Sequence, residues 1–405
     1  MGLNDTPKGN RVHIALFGKR NAGKSSLINA VTDQELAIVS EIKGTTTDPV
    51  YKAMELLPLG PVMLIDTPGL DDEGELGEKR IAKTMEVLKK TDIALLVIDM
   101  NIGFTSVEQV ILDRIQKENI PYITVYNKSD LGSLDETEKK PNEINVSSVT
   151  KAGIHELKEM IAKQLPEEED KFQIVGDLLN PSDFVVLVVP IDKAAPKGRL
   201  ILPQQQTIRD ILEADAIAIV TKEYELRETL ESLGKKPKLV ITDSQVFSKV
   251  SADTPKDVLL TSFSILFARY KGDLETLVKG VKAVESLKDG DLVLISEGCT
   301  HHRQCDDIGT VKIPRWLLQY TGKKLQFETS SGNTFPEDME RFSLVVHCGA
   351  CSLNRREMQN RMNRVKEKEI PIVNYGVLIA YLQGILKRSI EAFPSIAMIL
   401  EDVDL

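Results

Sequence analysis

A glycine-rich segment between a strand and a helix constrains the fold of this chain more than any other sequence feature. Residues 18–25 have the pattern G-x-x-x-x-G-K-S, between an apolar strand pattern at Val12–Phe17 and a helical pattern at Lys24–Thr32. Glycines in such a loop let backbone N–H groups approach phosphate oxygens, and the N-terminus of the helix adds favourable partial charge. The pattern predicts a phosphate-binding loop in a doubly wound α/β domain.

The residue types in this loop predict separate roles. Lys24 is expected to reach the β- and γ-phosphates of a nucleotide, and the hydroxyl of Ser25 is expected to bind magnesium. The other expected contacts to the nucleotide come from the loop and the first turn of the helix, at Gly18, Asn21, Ala22, Gly23 and Ser26.

Two further segments are predicted to act on the phosphates and the metal. Asp66-Thr67-Pro68-Gly69 ends the strand pattern Val62–Asp66, where the Asp66 carboxylate can hold magnesium through water and the Gly69 N–H can face the γ-phosphate. Residues 44–48 lie between the phosphate loop and Asp66 and are rich in threonine. We select Thr46 as the residue that completes the magnesium shell when this loop closes on the γ-phosphate. Lys24, Thr46, Asp66 and Gly69 are thus the predicted catalytic residues.

The segment Asn127-Lys128-Ser129-Asp130 predicts the base of the nucleotide. It follows the strand pattern Tyr122–Asn127, and the Asp130 carboxylate can accept hydrogen bonds from both N1–H and N2–H of guanine, a pair that adenine lacks. Ser147 and Ser148 follow a short strand pattern and are expected to contact the guanine carbonyl through their backbone. The combination favours a GTPase over an ATPase.

The length of 405 residues predicts two or three domains, because a single core rarely exceeds about 250–300 residues. Strand and helix patterns alternate along the chain, and the acidic run Glu167–Asp170 is typical of a linker. We therefore predict an α/β protein in which a P-loop GTPase domain with a doubly wound sheet (residues 1–166) precedes two smaller α/β domains. The second domain, residues 171–260, is interpreted as a dimerisation module, and the third spans residues 261–405.

The two later domains have their own strand and helix patterns. The predicted strands are Phe184–Val189, Ala216–Val220, Lys238–Ile241, Leu292–Ile295 and Ser343–Val346. The predicted helices are Gln204–Glu213, Tyr224–Leu233, Met358–Glu367 and Val377–Phe393.

Charge and hydropathy narrow the possible partners. The net charge of −10 argues against a broad nucleic-acid-binding surface. The longest apolar run, Phe184–Ile191, is far shorter than the ~20 residues of a membrane helix, and the N-terminus has no apolar signal core. We therefore expect no membrane and no nucleic acid among the partners, and a cytoplasmic location.

All four cysteines lie in the last third of the chain, which favours a metal site over a disulfide framework. Cys299 follows one strand pattern, and the pair Cys348 and Cys351 follows another. The carboxyl ends of parallel strands share one edge of a sheet, so the two segments can converge. Structural zinc and a 4Fe–4S cluster both suit such ligands, and the spacing alone slightly favours zinc. Cys305 is expected to remain an unliganded thiol.

The motifs of residues 11–165 together resemble the Era and TrmE group of translation-factor-class GTPases. Leu70 stands where Ras-like proteins have a water-orienting glutamine, and Asn21 stands where TrmE-like enzymes have an asparagine that helps to bind potassium. The resemblance implies that this cation supplies charge otherwise given by an arginine finger. It therefore implies slow hydrolysis that potassium stimulates.

Over its whole length the chain resembles the HydF family of FeFe-hydrogenase maturation GTPases. The features that carry this resemblance are Cys-x-His at 299–301, His-Cys-x-x-Cys at 347–351 and the stretch 196–204, behind a TrmE-like domain. The resemblance implies a 4Fe–4S cluster on Cys299, Cys348 and Cys351, whose fourth position is left to His301, His347, Glu297 or water. It also implies a homodimer that carries a di-iron precursor to the apo-hydrogenase and works with radical-SAM maturases.

The alternative hypothesis is an RNA- or ribosome-directed GTPase of the Era/TrmE type with a structural zinc site. Such proteins need RNA contacts, and in residues 171–405 we interpret no helix as a basic RNA-binding helix and find no G-x-x-G loop or alternation of aromatic and basic residues.

Overall fold

The computed structural model describes residues 8–33, 48–57, 59–69, 75–132, 140–164, 173–191, 200–298, 307–332 and 334–402. The chain forms two compact units, one within residues 1–171 and one within residues 172–405, and each is described separately below. Several predicted site residues lie outside the described ranges, namely Thr46, Leu70, Cys299, His301, His302 and Cys305.

The first unit is built on a six-stranded sheet in the order β2-β3-β1-β4-β5-β6. Strand β2 runs antiparallel to β3, and all other neighbours are parallel. The strands are β1 Val12–Phe17, β2 Val50–Leu56, β3 Gly60–Asp66, β4 Ile93–Asp99, β5 Tyr122–Asn127 and β6 Glu143–Asn145.

Helices cover both faces of this sheet, because alternate strand residues are apolar on each side. Ile14 and Leu16 of β1 belong to the core that contains residues of α1 and α4. Ala15 and Phe17 belong to the core on the opposite face, which contains residues of α2 and α3. The helices are α1 Lys24–Thr32, α2 Glu75–Leu88, α3 Ser106–Lys117 and α4 Ile154–Gln164. The predicted doubly wound α/β fold is confirmed.

The second unit contains two four-stranded sheets in which every pairing is parallel. Their strand orders are β10-β9-β7-β8 and β12-β11-β13-β14. The strands are β7 Phe184–Val188, β8 Ile217–Thr221, β9 Leu239–Thr242, β10 Leu259–Ser262, β11 Leu292–Glu297, β12 Gln326–Ser331, β13 Leu344–His347 and β14 Ile372–Asn374.

A single apolar core joins the two sheets of this unit, and the helices of the segment pack around it. The boundary that we predict at residue 260 falls inside β10, which pairs with β9, and it stays a prediction. The helices are α5 Leu202–Glu213, α6 Leu226–Ser232, α7 Phe247–Asp253, α8 Phe263–Lys271, α9 Leu274–Lys279, α10 Ala283–Ser286, α11 Ile313–Thr321, α12 Arg355–Glu367, α13 Tyr375–Leu382, α14 Leu386–Ser389 and α15 Pro394–Asp402.

The prediction of one helix over Val377–Phe393 is wrong. Helix α13 ends at Leu382, and a new helix begins at Leu386. Gly384 adopts a positive φ of 69°, a conformation in which a glycine ends a helix at no steric cost. Its N–H bonds to the carbonyl oxygen of Tyr381, and the N–H of Ile385 bonds to that of Ala380. The apolar pattern continues across this turn and favours a single helix, whereas Gly384 is the residue in the sequence that marks the break.

In the part of the chain that the structure describes, no helix combines the length and the apolar character needed to cross a bilayer.

Candidate functional site

The phosphate loop leaves β1 through a gap that only a glycine fits. Gly18 has a φ of 144°, and a Cβ atom there would lie 2.1 Å from the carbonyl oxygen of Val97 on β4. Gly23 precedes α1 with a φ of 89°, and a Cβ atom there would lie 2.2 Å from Asn127 Nδ2. The glycines of the motif therefore allow the loop to pass close to β4 and β5 and to place the first N–H groups of α1 at the loop.

The ammonium group of Lys24 lies inside this loop. Its Nζ donates hydrogen bonds to the carbonyl oxygens of Gly18 at 3.0 Å and Lys19 at 2.7 Å. The residue is only 7% exposed, so its positive charge is held at one position. A buried ammonium at the N-terminus of a helix is suited to bind phosphate oxygens.

The predicted magnesium ligands of the described chain lie side by side. The hydroxyl of Ser25 donates a hydrogen bond to Asp66 Oδ2 at the end of β3. Burial raises the pKa of Asp66, whereas the hydrogen bond from Ser25 and the charge of Lys24 lower it. Hard oxygen ligands of this kind suit magnesium, and a divalent cation would favour the charged carboxylate. The third predicted ligand, Thr46, lies outside the described residues.

The turn after Asp66 packs directly against the phosphate loop. Thr67 Oγ1 donates a hydrogen bond of 2.6 Å to the carbonyl oxygen of Leu16, which fixes the start of the turn. A Cβ atom at Gly69 would lie 2.7 Å from the backbone of Arg20. The N–H of Gly69 is thus on a segment that touches the loop, as its predicted role at the γ-phosphate requires.

Asn127 joins three segments of the nucleotide site. Its Nδ2 donates to the carbonyl oxygen of Ala22 at 3.1 Å, and its Oδ1 accepts from the N–H and the hydroxyl of Ser148 at 3.1 and 2.9 Å. The side chain is 1% exposed. Asn127 therefore acts as a structural link between the phosphate loop and the segment predicted to contact guanine.

The carboxylate of Asp130 is exposed to solvent, where it is accessible to a nucleobase. Its Oδ1 accepts a hydrogen bond of 2.6 Å from the hydroxyl of Ser147. Lys128 has a positive φ of 67°, and its Nζ lies 2.6 Å from Asp99 Oδ2. Burial raises the pKa of Asp99, but its hydrogen bonds with Lys128 and Asn101 outweigh burial and lower it. The segment 127–130 is thus held in a turn that leaves one oxygen of Asp130 for a ligand.

The cysteine segments meet at the edge of the second sheet of the second unit. Ser296 of β11 lies beside His347 of β13, and the N–H of Cys348 donates to the carbonyl oxygen of Ser296 at 2.9 Å. The N–H of Gly298 in turn lies 3.0 Å from Cys348 Sγ. Gly298 is the residue directly before Cys299, so the two segments converge as far as the structure describes them.

The sulfur of Cys348 accepts backbone hydrogen bonds, as expected of a metal-binding thiolate. Besides Gly298, the N–H of Ala350 lies 3.4 Å from Sγ. Burial raises the pKa of Cys348 to about 11, while these two N–H groups oppose the shift. Burial thus favours the neutral thiol at neutral pH, and an iron or zinc ion bound there would stabilise the thiolate. Cys348 and Cys351, both half-buried, fit a metal or cluster in this respect.

His347 uses both ring nitrogens within the fold. Its Nδ1 lies 2.9 Å from the carbonyl oxygen of Cys348, and its Nε2 lies 3.1 Å from Nη1 of Arg361. Arginine can only donate, so Nε2 accepts and Nδ1 carries the proton. Burial, with the charge of Arg361, lowers the pKa of His347 to about 3. In this arrangement His347 has no lone pair left for iron, which argues against the expectation that it serves as the fourth ligand.

Glu297 is the other described candidate for that ligand. It is 3% exposed, and the hydroxyl of Tyr375 lies 3.3 Å from its Oε1. A Cβ atom at Gly309 would lie 2.6 Å from the same oxygen, so this side chain is closely packed. Among the residues the structure describes, no group of three or more His, Cys, Asp or Glu side chains could hold a metal ion.

Two basic residues contact the cysteine site although no sequence pattern predicts that they do. Arg361 on α12 binds His347, and its Nη2 also donates to the carbonyl oxygen of Gly332 at 2.6 Å. Lys271, the last residue of α8, donates to carbonyl oxygens of the cysteine loop. Burial lowers the pKa of Lys271 to about 8, although Cys351 and Cys348 raise it. Lys271 lies about eighty residues from the loop in the chain, and Arg361 lies on the helix that follows it, so only the folded structure reveals these contacts.

Three family models match this chain. Residues 13–128 match the 50S ribosome-binding GTPase family. Residues 174–272 match the hydrogen maturase F dimerization domain, and residues 275–392 match the hydrogen maturase F tetramerization domain. The first unit is thus a GTPase domain, and the second contains two domains of a class that forms oligomers.

Curated relatives share the GTPase character. The tRNA modification GTPase MnmE of Nitrosomonas europaea is 36% identical over 157 residues, 38% of this chain and 34% of that protein. The GTPase Der of Kosmotoga olearia is 37% identical over 123 residues, 29% of this chain and 28% of that protein. MnmE of Aquifex aeolicus is 35% identical over 228 residues, 55% of this chain and 47% of that protein. The chain therefore spans less than half the length of each of these relatives.

The two hydrogen maturase F domains together cover more than half of the 405 residues and follow a GTPase domain with an intact phosphate loop. This chain belongs to the hydrogen maturase F family of GTPases.

Proposed function

We propose that this chain is a GTP-hydrolysing scaffold that binds a 4Fe–4S cluster and carries a di-iron precursor to an apo FeFe-hydrogenase. The observation that carries the proposal is the 3.0 Å separation between Gly298 N and Cys348 Sγ, which brings the backbone next to Cys299 to the loop of Cys348 and Cys351. Membership of the hydrogen maturase F family supports the same role.

In this proposal Cys299, Cys348 and Cys351 hold the cluster. When bound, a 4Fe–4S cluster with three cysteine ligands has one iron that no thiolate occupies, and an incoming iron unit can attach there. The chain contributes the N–H groups of Gly298 and Ala350 to Cys348 Sγ. Because His347 is engaged on both nitrogens, His301, Glu297 or water is the proposed occupant of the fourth position.

GTP hydrolysis has a separate role in this proposal. Lys24 neutralises phosphate charge, Ser25, Thr46 and Asp66 hold magnesium, and the Gly69 N–H senses the γ-phosphate. Hydrolysis then switches the first unit between two loop states and changes its contacts with partners. The proposed partners are a second copy of this chain, the apo-hydrogenase and radical-SAM maturases, in the reducing cytoplasm where thiolate ligands persist.

Anaerobic reconstitution with iron and sulfide tests the cluster. We expect a brown protein with a broad absorption near ~400 nm and, after reduction, an EPR signal, because iron–sulfur charge-transfer bands give colour that zinc cannot. Substitution of Cys299, Cys348 or Cys351 by Ser is expected to remove most of this absorption. Iron content per chain and absorbance are the measurements.

Cys305→Ser is the matched control for these variants, because Cys305 is a cysteine predicted to hold no metal. It is expected to keep the absorption and the EPR signal of the unsubstituted protein. A colourless reconstituted protein that contains zinc would contradict the cluster proposal and favour an RNA-directed GTPase with a structural zinc site. Loss of the cluster in Cys305→Ser would instead add Cys305 to the ligands.

Potassium is expected to raise the rate of GTP hydrolysis relative to sodium. Asn21 is exposed on the phosphate loop with a positive φ of 61°, where its side-chain oxygen can ligate a monovalent cation beside the nucleotide. A cation there supplies positive charge to the transition state in place of an arginine finger. Phosphate release in matched potassium and sodium chloride measures the effect. Equal rates in the two salts, or an unchanged potassium effect in Asn21→Ala, would contradict it.

A further inference from the structure

The buried ammonium of Lys271 is the centre of a small carbonyl cage. Its Nζ donates to the carbonyl oxygens of Ala350 at 3.1 Å, Cys351 at 3.1 Å and Leu353 at 2.6 Å. A lysine ammonium has three N–H donors and no acceptor, so these three bonds satisfy it completely. All three acceptors belong to the loop that contains Cys348 and Cys351.

The unfavourable free energy of burying the Lys271 ammonium indicates that this residue has a functional role. Lys271 is 1% exposed, and fully buried lysines are rare because removal of the charge from water is unfavourable. A neutral side chain would pack in the same place without that cost. The carbonyl groups of Ala350, Cys351 and Leu353 turn toward Lys271. In the same loop the N–H of Ala350 lies 3.4 Å from Cys348 Sγ.

The position of Lys271 in the chain separates it from the loop that it holds. It ends α8, within the segment that matches the dimerization domain, and the loop lies in the segment that matches the tetramerization domain. The contact therefore forms only when the two domains pack together. It does not depend on a metal, because every bond runs from Nζ to a backbone oxygen.

We propose that Lys271 is a positioning residue that holds the loop of Cys348 and Cys351 ready for cluster binding and places a positive charge beside the anionic cluster. This inference rests on the proposed cluster function. Three thiolates around a cluster give it net negative charge, which increases on reduction, so a nearby cation favours the reduced state. The fixed loop lowers the entropy that is lost when the two sulfurs bind iron.

Three substitutions separate the two roles of Lys271. Lys271→Met removes both the charge and the hydrogen bonds, Lys271→Gln removes the charge but keeps N–H donors, and Lys271→Arg keeps both. Lys279→Met is the matched control, because Lys279 is an exposed lysine of α9 whose Nζ binds Glu275. Circular dichroism and oligomeric state identify any variant that does not fold. If Lys271→Met does not fold, Lys271→Gln is compared with the unsubstituted protein instead.

The first measurement needs no metal. Hydrogen exchange of the amides of residues 350–353 in the cluster-free full-length protein is expected to be about tenfold faster in Lys271→Met than in the unsubstituted protein. The exchange rate in Lys271→Gln is expected to lie between these two rates, and the rate in Lys279→Met is expected to equal that of the unsubstituted protein. Equal protection in Lys271→Met and the unsubstituted protein would overturn the bracing role, whether or not the protein binds a cluster.

The second measurement is the midpoint potential of the cluster, followed by EPR in a redox titration. At a fixed potential the ratio of reduced to oxidised cluster is expected to be about tenfold lower in both Lys271→Met and Lys271→Gln, which corresponds to about 59 mV for one electron. Lys271→Arg is expected to restore the potential. Unchanged potentials would overturn the charge role. Failure of the unsubstituted protein to bind any cluster would overturn the proposed function itself, and the exchange experiment distinguishes that case.

Discussion

Substitution of Lys24 by Ala is expected to lower the rate of GTP hydrolysis by about 10²–10³-fold while leaving the iron content of the reconstituted protein unchanged. Lys24 is buried in the phosphate loop and bonds to the carbonyl oxygens of Gly18 and Lys19, so its charge is fixed where phosphate binds. The cysteine loop belongs to a different compact unit. Phosphate release under single-turnover conditions and iron per chain are the two measurements.

Lys117→Ala is the matched control for this prediction. Lys117 is an exposed lysine at the end of α3 in the same unit, so its loss changes the net charge of that unit without touching the loop. Hydrolysis is expected to stay within about twofold of the unsubstituted rate, because exposed substitutions away from a site have small effects. If Lys24→Ala also loses its iron, the two units do not divide hydrolysis and cluster binding as we propose.

The sequence predicts the phosphate-loop architecture of the first unit well because its requirements are local. A phosphate loop needs glycine where the backbone passes β4 and where α1 begins, and both Gly18 and Gly23 adopt positive φ values there. The strand and helix on either side have the two periodicities that distinguish them. The contact of Ser25 with Asp66 and the contact of Asn127 with Ala22 then follow from the shared edge of a parallel sheet.

The edge of the first sheet is harder to predict. Strand β2, Val50–Leu56, is absent from our predictions because it alternates between exposed and half-buried residues and contains two charged side chains. Among the residues that the structure describes, it pairs with β3 alone, in the antiparallel direction. An edge strand of this kind buries too little apolar surface to give a clear pattern in a single sequence.

The cysteine site shows a different limit. The sequence places Cys299 and Cys348 after two strands, and the pairing of β11 with β13 explains why their segments meet. The sequence cannot distinguish a histidine that binds a metal from one whose ring nitrogens form hydrogen bonds within the protein. His347, next to Cys348, has the sequence position of a metal ligand. Its bonds to Arg361 and to its neighbour's carbonyl oxygen are visible only in the structure. Lys271 reaches the loop from about eighty residues away, and no local pattern signals such a contact.

Substitution of Asp130 by Asn is expected to change the base that the first unit binds. Guanine presents N1–H and N2–H donors, and a carboxylate accepts both, whereas an amide has one acceptor oxygen and one donor group. With an amide at this position, one guanine donor faces another donor, and we expect the affinity for GTP to fall by roughly 10⁴-fold. Xanthine has a carbonyl group where guanine has its amino group, so the same amide can accept from N1–H and donate to that oxygen.

Titration of fluorescent GTP and XTP analogues measures this exchange of specificity. The geometry favours a clean result, because Asp130 is exposed and its Oδ1 accepts from Ser147, a bond that the amide oxygen of asparagine can keep. Asp113→Asn, the same chemical change at an exposed position of α3, is expected to leave both affinities unaltered. If Asp130→Asn lowers the affinities for GTP and XTP equally, Asp130 only supports the turn of residues 127–130. An undiminished affinity for GTP would mean that another residue selects guanine, and the inference of a guanine site from Asn127-Lys128-Ser129-Asp130 would be wrong.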